Sequence, residues 1–110
     1  MTFTELGSSD ELIDFINNNP VAIVVVSASW CGPCKRSKPE VMTIAKDSPV
    51  PFGYVLEDDI DLDEFGNIFL KSPISAFPTY VCFKDAAEED RINGVQFPEL
   101  KEMIAKFAPK

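Results

Sequence analysis

The sequence contains no histidine and only three cysteines, Cys31, Cys34 and Cys82. A structural zinc ion takes four ligands, for the most part histidine or cysteine side chains. A zinc site would therefore need Cys82 and a carboxylate beside the close pair, or a second chain, so we expect no metal. An odd and sparse set of cysteines also does not suit a secreted fold held together by disulfides. We therefore expect a protein of a reducing compartment, the cytoplasm.

Basic residues are scarce as well. The chain has 10 Lys and Arg against 18 Asp and Glu, which gives a formal net charge of −8. Such a surface repels phosphate groups, so binding to nucleic acid or to an anionic membrane is not expected. The first residues lack the basic and apolar regions of a secretory signal. The apolar run at 21–26 is far shorter than the roughly 20 residues that span a bilayer.

A chain of 110 residues, 45% of them apolar, suits one compact domain over 1–110 and is too short for two. The run 21–27 is β-branched and continuous, which predicts a central strand covered on both faces. Further strands are predicted at 3–6, 52–56 (with an extension through Ile60 and Leu62 left open), 79–83 and 90–93, the last two joined by Asp85-Ala86-Ala87. Helices are predicted from a cap at 8–10 to a breaker at 17–20, over 32–46 with a kink at Pro39, over 64–71, and from Pro98 to 107. This order predicts an α/β fold, a mixed sheet of about five strands flanked by four helices.

The segment Trp30-Cys31-Gly32-Pro33-Cys34 carries the strongest functional signal. Two cysteines separated by two residues, at a junction of strand and helix, are placed to exchange a disulfide with another protein. Trp30 keeps one side of the pair apolar, while Gly32 and Pro33 hold the sulfurs close and leave the backbone open to a partner. Two idle buried cysteines are the alternative interpretation, which this context disfavours.

Cys31 is predicted to be the nucleophile. Disulfide exchange needs a thiolate, whereas a free cysteine has a pKa of about 8.5. At a helix N-terminus, Cys31 meets unpaired N–H groups and the positive end of the helix dipole, and both favour the anion. The cationic Lys35, Arg36 and Lys38 follow in the adjoining turn. We expect Cys31 to attack a substrate disulfide, and Cys34 to attack Cys31 and release the reduced substrate.

The pattern resembles the thioredoxin family over most of the chain. Residues 30–35 match the active-site motif in full, and Pro39 matches the kink proline of the following helix. Residues 74–79 resemble the family segment that contains a cis proline, and Gly94 with the last helix matches the end of the family pattern. The combination of the first motif with a downstream Phe-Pro-Thr is specific to this family.

The resemblance implies a thioredoxin fold and a site wider than the two cysteines. Pro78 is expected beside the disulfide, and Phe77 is expected to offer backbone groups to an extended peptide, which would add like a strand. Trp30 and Gly94 would complete the substrate-binding surface, and Lys35, with the glycine and proline of the motif, would support the active site. From the residues alone, a strand-edge proline is the less favoured alternative for Pro78, whereas Gly94 could equally be a plain turn glycine.

The resemblance also implies an activity. It is that of an oxidoreductase that reduces protein disulfides, with no cofactor bound to the chain. Disulfide-containing proteins would be its substrates, and a flavin-dependent thioredoxin reductase using NADPH would regenerate it. The alternative is a binding or adaptor module that keeps the fold and uses the same surface without efficient turnover.

Two departures from the family pattern bear on that choice. Val25 stands where thioredoxins usually have a buried Asp, and Ser27 stands where they favour a second Trp. The lysine that accompanies that Asp is absent too. Without the carboxylate, Cys34 is expected to lose its proton less readily, unless water or an acid such as Asp58 or Asp59 substitutes.

Other conspicuous residues are interpreted as structural. Cys82 lies in an apolar run and is expected in the core, with regulation by oxidation as the less favoured alternative. The acidic run 57–64 lacks the glycine and spacing of an EF-hand loop, so a solvated acidic edge is favoured over calcium binding. Glu88-Glu89-Asp90 is expected to form a solvated hairpin.

Overall fold

A computed structural model describes residues 2–109. It contains one five-stranded sheet in the order β1-β3-β2-β4-β5 and four α-helices. The strands are β1 (Phe3–Leu6), β2 (Val21–Ser27), β3 (Phe52–Leu56), β4 (Thr79–Lys84) and β5 (Ala87–Asn93). The helices are α1 (Ser9–Asn18), α2 (Gly32–Lys46), α3 (Leu62–Phe69) and α4 (Phe97–Phe107). The predicted mixed sheet of five strands with four helices is confirmed.

The sheet is parallel on one side and antiparallel on the other. β3 pairs in parallel with both β1 and β2, β4 runs antiparallel to β2, and β5 antiparallel to β4. Because β2 and β3 are parallel neighbours, the residues that follow them emerge at the same edge of the sheet. That edge carries the cysteine motif.

β2 is the central strand, as its continuous apolar sequence predicts. All but the first of its seven residues are buried. Its alternate side chains enter two separate cores, since successive residues of a strand face opposite sides. Val25 packs in the core that includes α2 and α4, whereas Val24 packs in the core that includes α1 and α3. A strand covered on both faces holds its C-terminal end, and so the start of α2, in a fixed place.

The third strand ends at Leu56 and does not extend through Ile60 and Leu62. A short 3-10 turn, Glu57–Asp59, follows it. The side chain of Asp61 then accepts the backbone N–H of Glu64 at 3.0 Å, which caps a helix at its N-terminus. α3 therefore begins two residues earlier than predicted and ends at Phe69.

The hairpin of β4 and β5 is longer and tighter than predicted. Asp85 and Ala86 alone form its turn, with φ of 51° and 64°, and β5 begins at Ala87. Two consecutive residues at positive φ make a turn whose twist matches the strands. The expectation of a solvated hairpin is wrong for Glu88, which is 6% exposed and ion-paired with Arg91.

Candidate active site

Cys31 and Cys34 lie at the N-terminus of α2, where they form a disulfide with a Cα–Cα distance of 5.3 Å. Cys31 is the N-cap residue, with an extended backbone, and its Sγ accepts the N–H of Cys34 at 3.2 Å. Pro33 occupies the first turn of the helix, where its missing N–H would have had no partner. The sequence therefore builds a helix in which one free backbone donor, the N–H of Cys34, points at a sulfur.

The two cysteines differ little in exposure. Cys31 is 5% exposed and Cys34 is 2% exposed, which follows the predicted order although both are buried. Ala28 and Phe77 pack against them. A partner sulfur must therefore approach through the opening beside Cys31 that leaves this residue 5% exposed.

The segment before β4 forms the other wall of that opening. The peptide bond between Phe77 and Pro78 is cis, as the resemblance implies. The carbonyl oxygen of Phe77 lies 3.7 Å from Cys31 Sγ. The N–H of Gly94 donates to the carbonyl of Pro78 at 2.8 Å, and Gly94 has a φ of +86°. Gly94 is thus both a turn glycine and a neighbour of the site, since few other residues adopt that φ.

Trp30 stands out from the surface beside the disulfide. It is 64% exposed, and its ring packs edge-on against Phe77 with centroids 5.4 Å apart. Its indole Nε1 donates to Glu57 Oε1 at 3.0 Å. A large aromatic side chain held in one place but left uncovered offers contact area to a partner at little entropic cost.

The acids after β3 are tied to the cysteine motif, which the sequence reasoning missed. Asp58 accepts the backbone N–H of Ser29 at 2.9 Å and its hydroxyl at 2.6 Å. These two hydrogen bonds lower the pKa of Asp58, in spite of the opposing effect of desolvation. A carboxylate with a lowered pKa and both oxygens engaged is a poor proton acceptor for Cys34. The parallel pairing of β2 and β3 places residues 29–30 and 57–58 at the same edge of the sheet, and this pairing could have predicted the contact.

The three cations after the motif have different neighbours. Lys38 is ion-paired with Glu5 on β1 at 2.5 Å and lies over the Tyr54 ring. The guanidinium of Arg36 lies over the first turn of α2, close to Gly32. A side chain at position 32 would have its Cβ only 3.0 Å from Arg36 Nη1. Lys35 lines an open groove that Tyr54 and Glu5 also line. The guanidinium of Arg36 is therefore placed against the first turn of α2, whereas the charge of Lys38 is shared with Glu5.

Hydroxyl groups surround the position where thioredoxins usually carry a buried carboxylate. Val25 lies in register between Tyr54 on β3 and Tyr80 on β4. Tyr54 Oη donates to Ser27 Oγ at 2.8 Å, and Ser37 Oγ donates to the carbonyl of Cys34 at 3.1 Å. Ser27, at the second tryptophan position, is thus hydrogen-bonded to Tyr54 of the neighbouring strand.

Tyr80 is fully buried, and its hydroxyl has no hydrogen-bond partner among residues 2–109. Burial raises the pKa of Tyr80, while the neighbouring Ser37 hydroxyl opposes that rise. The two hydroxyls are close but do not meet in hydrogen-bond geometry. Ser37 donates its own proton to the carbonyl of Cys34. Tyr80 is therefore a neutral dipole in the core that α2 covers.

Cys82 lies apart from this site. It is fully buried in the core beneath α2 and α4, as predicted, and remains a free thiol. Burial, with a smaller contribution from Asp90 and Glu89, raises the pKa of Cys82 to about 12.

Within the part of the chain that the structure describes, no three His, Cys, Asp or Glu side chains cluster as a metal site, and no helix is long and apolar enough to cross a membrane.

Known proteins are similar to this chain in sequence and in fold. A family model described as Thioredoxin matches residues 5–106. Thioredoxin-1 of Saccharomyces cerevisiae is 30% identical over 105 residues, which cover 96% of this chain and 98% of that protein. Thioredoxin H-type 1 of Nicotiana tabacum is 34% identical over 93 residues, 84% of this chain and 71% of that protein. The thioredoxin structure of Plasmodium falciparum superposes with a TM-score of 0.82 at 30% identity, over 96% of this chain and 99% of that one.

These similarities extend over nearly the whole described chain, and they coincide with a CxxC pair at disulfide distance on a helix N-terminus. The chain therefore belongs to the thioredoxin family, and it is a thiol-disulfide oxidoreductase that acts on protein disulfides.

Proposed function

We propose that Cys31 is the attacking sulfur and Cys34 the resolving sulfur of a protein-disulfide reductase. The observation that supports this assignment is the N-cap position of Cys31, whose Sγ accepts the N–H of Cys34 at 3.2 Å. A donor and a helix dipole aimed at one sulfur favour its anion over the thiol. Cys34 lies a turn further along, where no approach from solvent is needed for its attack on Cys31.

The reaction runs as two displacements. The Cys31 thiolate bonds to one substrate sulfur, the substrate disulfide breaks, and the other substrate sulfur leaves as a thiolate that takes a proton from water. Cys34 then gives its proton to water and bonds to Cys31 Sγ, and the second substrate thiolate leaves. Two electrons pass to the substrate, and the chain ends with the Cys31–Cys34 disulfide, the form that the structure contains.

The substrate would dock on the surface around the opening. Trp30 supplies exposed apolar area, while Phe77, Pro78 and Gly94 line the other side. An extended peptide would add along Phe77 in the manner of a strand. Gly32 and Pro33, without bulky side chains, and Lys35 support the motif.

No cofactor need be bound to the chain for this chemistry, since the disulfide itself carries the electrons. A flavin-dependent thioredoxin reductase would restore the dithiol with electrons from NADPH. The proposed location is the cytoplasm, where the glutathione pool drives such exchange towards reduction. The sparse and odd set of cysteines supports the reducing compartment, and the net charge of −8 disfavours nucleic acid or an anionic membrane as a partner.

Two experiments test the proposal. The chain, supplied with dithiothreitol or with NADPH and a thioredoxin reductase, should reduce insulin, and Cys31→Ser should abolish the reduction. Cys34→Ser should accumulate mixed disulfides with insulin through Cys31. An adaptor would instead bind its partner equally well after both cysteines are changed to serine, and would leave insulin oxidised. That result would overturn the reductase assignment.

A further inference from the structure

A bulge in β5 places two charged residues on the same face. Glu89 is the extra residue of the bulge, since Glu88 pairs with Phe83 and Arg91 pairs with Val81 in the ladder with β4. In a regular strand, residues three apart face opposite sides. One extra residue shifts that alternation, so Glu88 and Arg91 both lie on the side of the sheet where Phe83 and Val81 pack.

On that face Glu88 and Arg91 form a two-pronged ion pair. Arg91 Nε donates to Glu88 Oε2 at 2.7 Å, and Nη2 donates to Oε1 at 2.8 Å. The exposed fractions of the two side chains are 14% for Arg91 and 6% for Glu88. A planar guanidinium that meets a carboxylate through two bonds fixes both orientation and distance, which a lysine cannot do.

Both side chains also bind the backbone that follows α3. Arg91 donates to the carbonyl of Pro73 at 3.1 Å and to the carbonyl of Ser72 at 2.7 Å. The backbone N–H of Lys71 donates to Glu88 Oε1 at 2.9 Å. This stretch of backbone has no helix or strand of its own. Its conformation therefore depends on bonds that side chains of β5 supply.

The anchored backbone leads directly to the wall of the active site. Its far end is held by Thr79, whose hydroxyl donates to the carbonyl of Ala76 at 2.7 Å, and by the bond from Gly94 to Pro78. Between these two anchors lies the substrate segment, residues 74–78. Phe77, within it, carries the carbonyl that faces Cys31 Sγ.

We propose that the Glu88–Arg91 pair positions the substrate segment, and thereby sets the affinity for a substrate peptide. It fixes the upstream end of the segment, so that Phe77 and Pro78 stay in place while a peptide adds along them. The inference rests on the proposed function, in which Phe77 and Pro78 dock the substrate peptide. Because the pair acts on the backbone of 71–73, the effect falls on substrate docking and not on the reactivity of Cys31.

Two variants and a matched control test the inference. Arg91→Lys keeps the positive charge but loses the paired hydrogen bonds from the guanidinium to Glu88. Glu88→Gln keeps a side-chain oxygen that accepts the backbone N–H of Lys71 but loses the ion pair. Glu89→Gln removes the same charge from the exposed neighbouring residue. KM and kcat for insulin reduction, and the rate at which iodoacetamide alkylates reduced Cys31, are measured at a temperature where circular dichroism shows every variant folded.

We expect KM for insulin to rise at least about threefold in Arg91→Lys and in Glu88→Gln, as the loss of one net hydrogen bond would give. The alkylation rate of Cys31 should stay unchanged, and Glu89→Gln should behave as the native chain. Hydrogen exchange should quicken at the amide of Lys71 and within 74–79. If one variant does not fold, the other still tests the inference.

Two results would count against the inference in different ways. Variants that unfold at lower temperature but retain the native KM would show that the pair only stabilises the fold. A native chain that does not reduce insulin at all would overturn the proposed function itself, and with it the docking role of the substrate segment.

Discussion

Val25 lies directly opposite Tyr80 in the ladder between β2 and β4, and both side chains are buried in the core that α2 covers. Thioredoxins usually have an acid at the position of Val25. In this chain the interior below the disulfide therefore holds hydroxyl dipoles in place of a charge. The resolving step must release the proton of Cys34 without a buried carboxylate, and Asp58 is engaged elsewhere, with Ser29.

Introducing a carboxylate should therefore change the resolving step. In Val25→Asp the new group lies in a desolvated site, which raises its pKa. We expect insulin reduction to become faster above that pKa, with a new inflection in the pH–rate profile. Val25→Asn, of similar size but without a base, is the control. The same rate and profile in Val25→Asp and the native chain would refute a role for this position in proton transfer.

The same two variants should lower stability. A polar group buried without full compensation costs about 1–3 kcal/mol in proteins. Both variants should therefore unfold at lower urea concentration than the native chain, and Val25→Asp should lose more at neutral pH, where its carboxyl must be kept neutral or buried as a charge.

The two tyrosines beside Val25 should respond differently to loss of their hydroxyls. Tyr54→Phe removes the bond to Ser27 and leaves a buried serine without that partner, which should cost about 1–2 kcal/mol of unfolding free energy. Tyr80→Phe removes a hydroxyl that has no partner among the described residues, so stability should be unchanged or rise by up to about 1 kcal/mol. Urea denaturation of both variants measures the difference. A larger loss in Tyr80→Phe than in Tyr54→Phe would mean that the Tyr80 hydroxyl is bonded in solution.

Cys82 should be inert in the folded protein. Burial raises its pKa to about 12, so the thiol is protonated at every pH at which the fold is assayed. After reduction, iodoacetamide should label Cys31 and leave Cys82 unmodified until urea is added, as mass spectrometry of the peptides would show. Labelling of Cys82 in the native state at a rate similar to that of Cys31 would revive the interpretation of regulation by oxidation.

The Glu88–Arg91 pair should make stability depend on pH. Burial alone would raise the pKa of Glu88, but the hydrogen bonds from Arg91 and from the N–H of Lys71, together with the charge of Arg91, lower it. A lowered folded-state pKa means that the stabilisation is present above the unfolded-state pKa and is lost as the pH falls through the folded-state value.

The unfolding free energy of the native chain should therefore exceed that of Glu88→Gln most at neutral pH. The difference should shrink as the pH falls below the usual pKa range of a glutamate, since the pKa of Glu88 is lowered. Urea denaturation at several pH values measures it. If the difference in unfolding free energy between the native chain and Glu88→Gln does not change with pH, the lowered pKa of Glu88 does not contribute to stability.

Much of the fold followed from local sequence. The continuous β-branched run gave β2 with its observed bounds, and the motif at its end gave the start of α2. The cysteine pair, Trp30 and Pro78 were found because they lie in specific motifs. These features depend on short segments, where hydrophobic pattern and helix capping decide the structure.

What the sequence did not predict depends on register between distant segments. The bulge in β5 decides that Glu88 faces inwards, and an Asp-Ala turn lacks the glycine that usually marks a two-residue hairpin. The ion pair was therefore missed, and Glu88 was taken for a solvated residue. The bonds from Asp58 to Ser29 were accessible in principle, because parallel strands bring both residues to one edge.

The central claim is that the N-terminus of α2 holds Cys31 as a thiolate at neutral pH. The most direct test is the rate of iodoacetamide alkylation of Cys31 as a function of pH, in reduced Cys34→Ser, with labelling at Cys82 monitored separately. We expect the rate to rise with a midpoint well below the value of about 8.5 for a free cysteine. A midpoint equal to that of a model thiol would contradict the account.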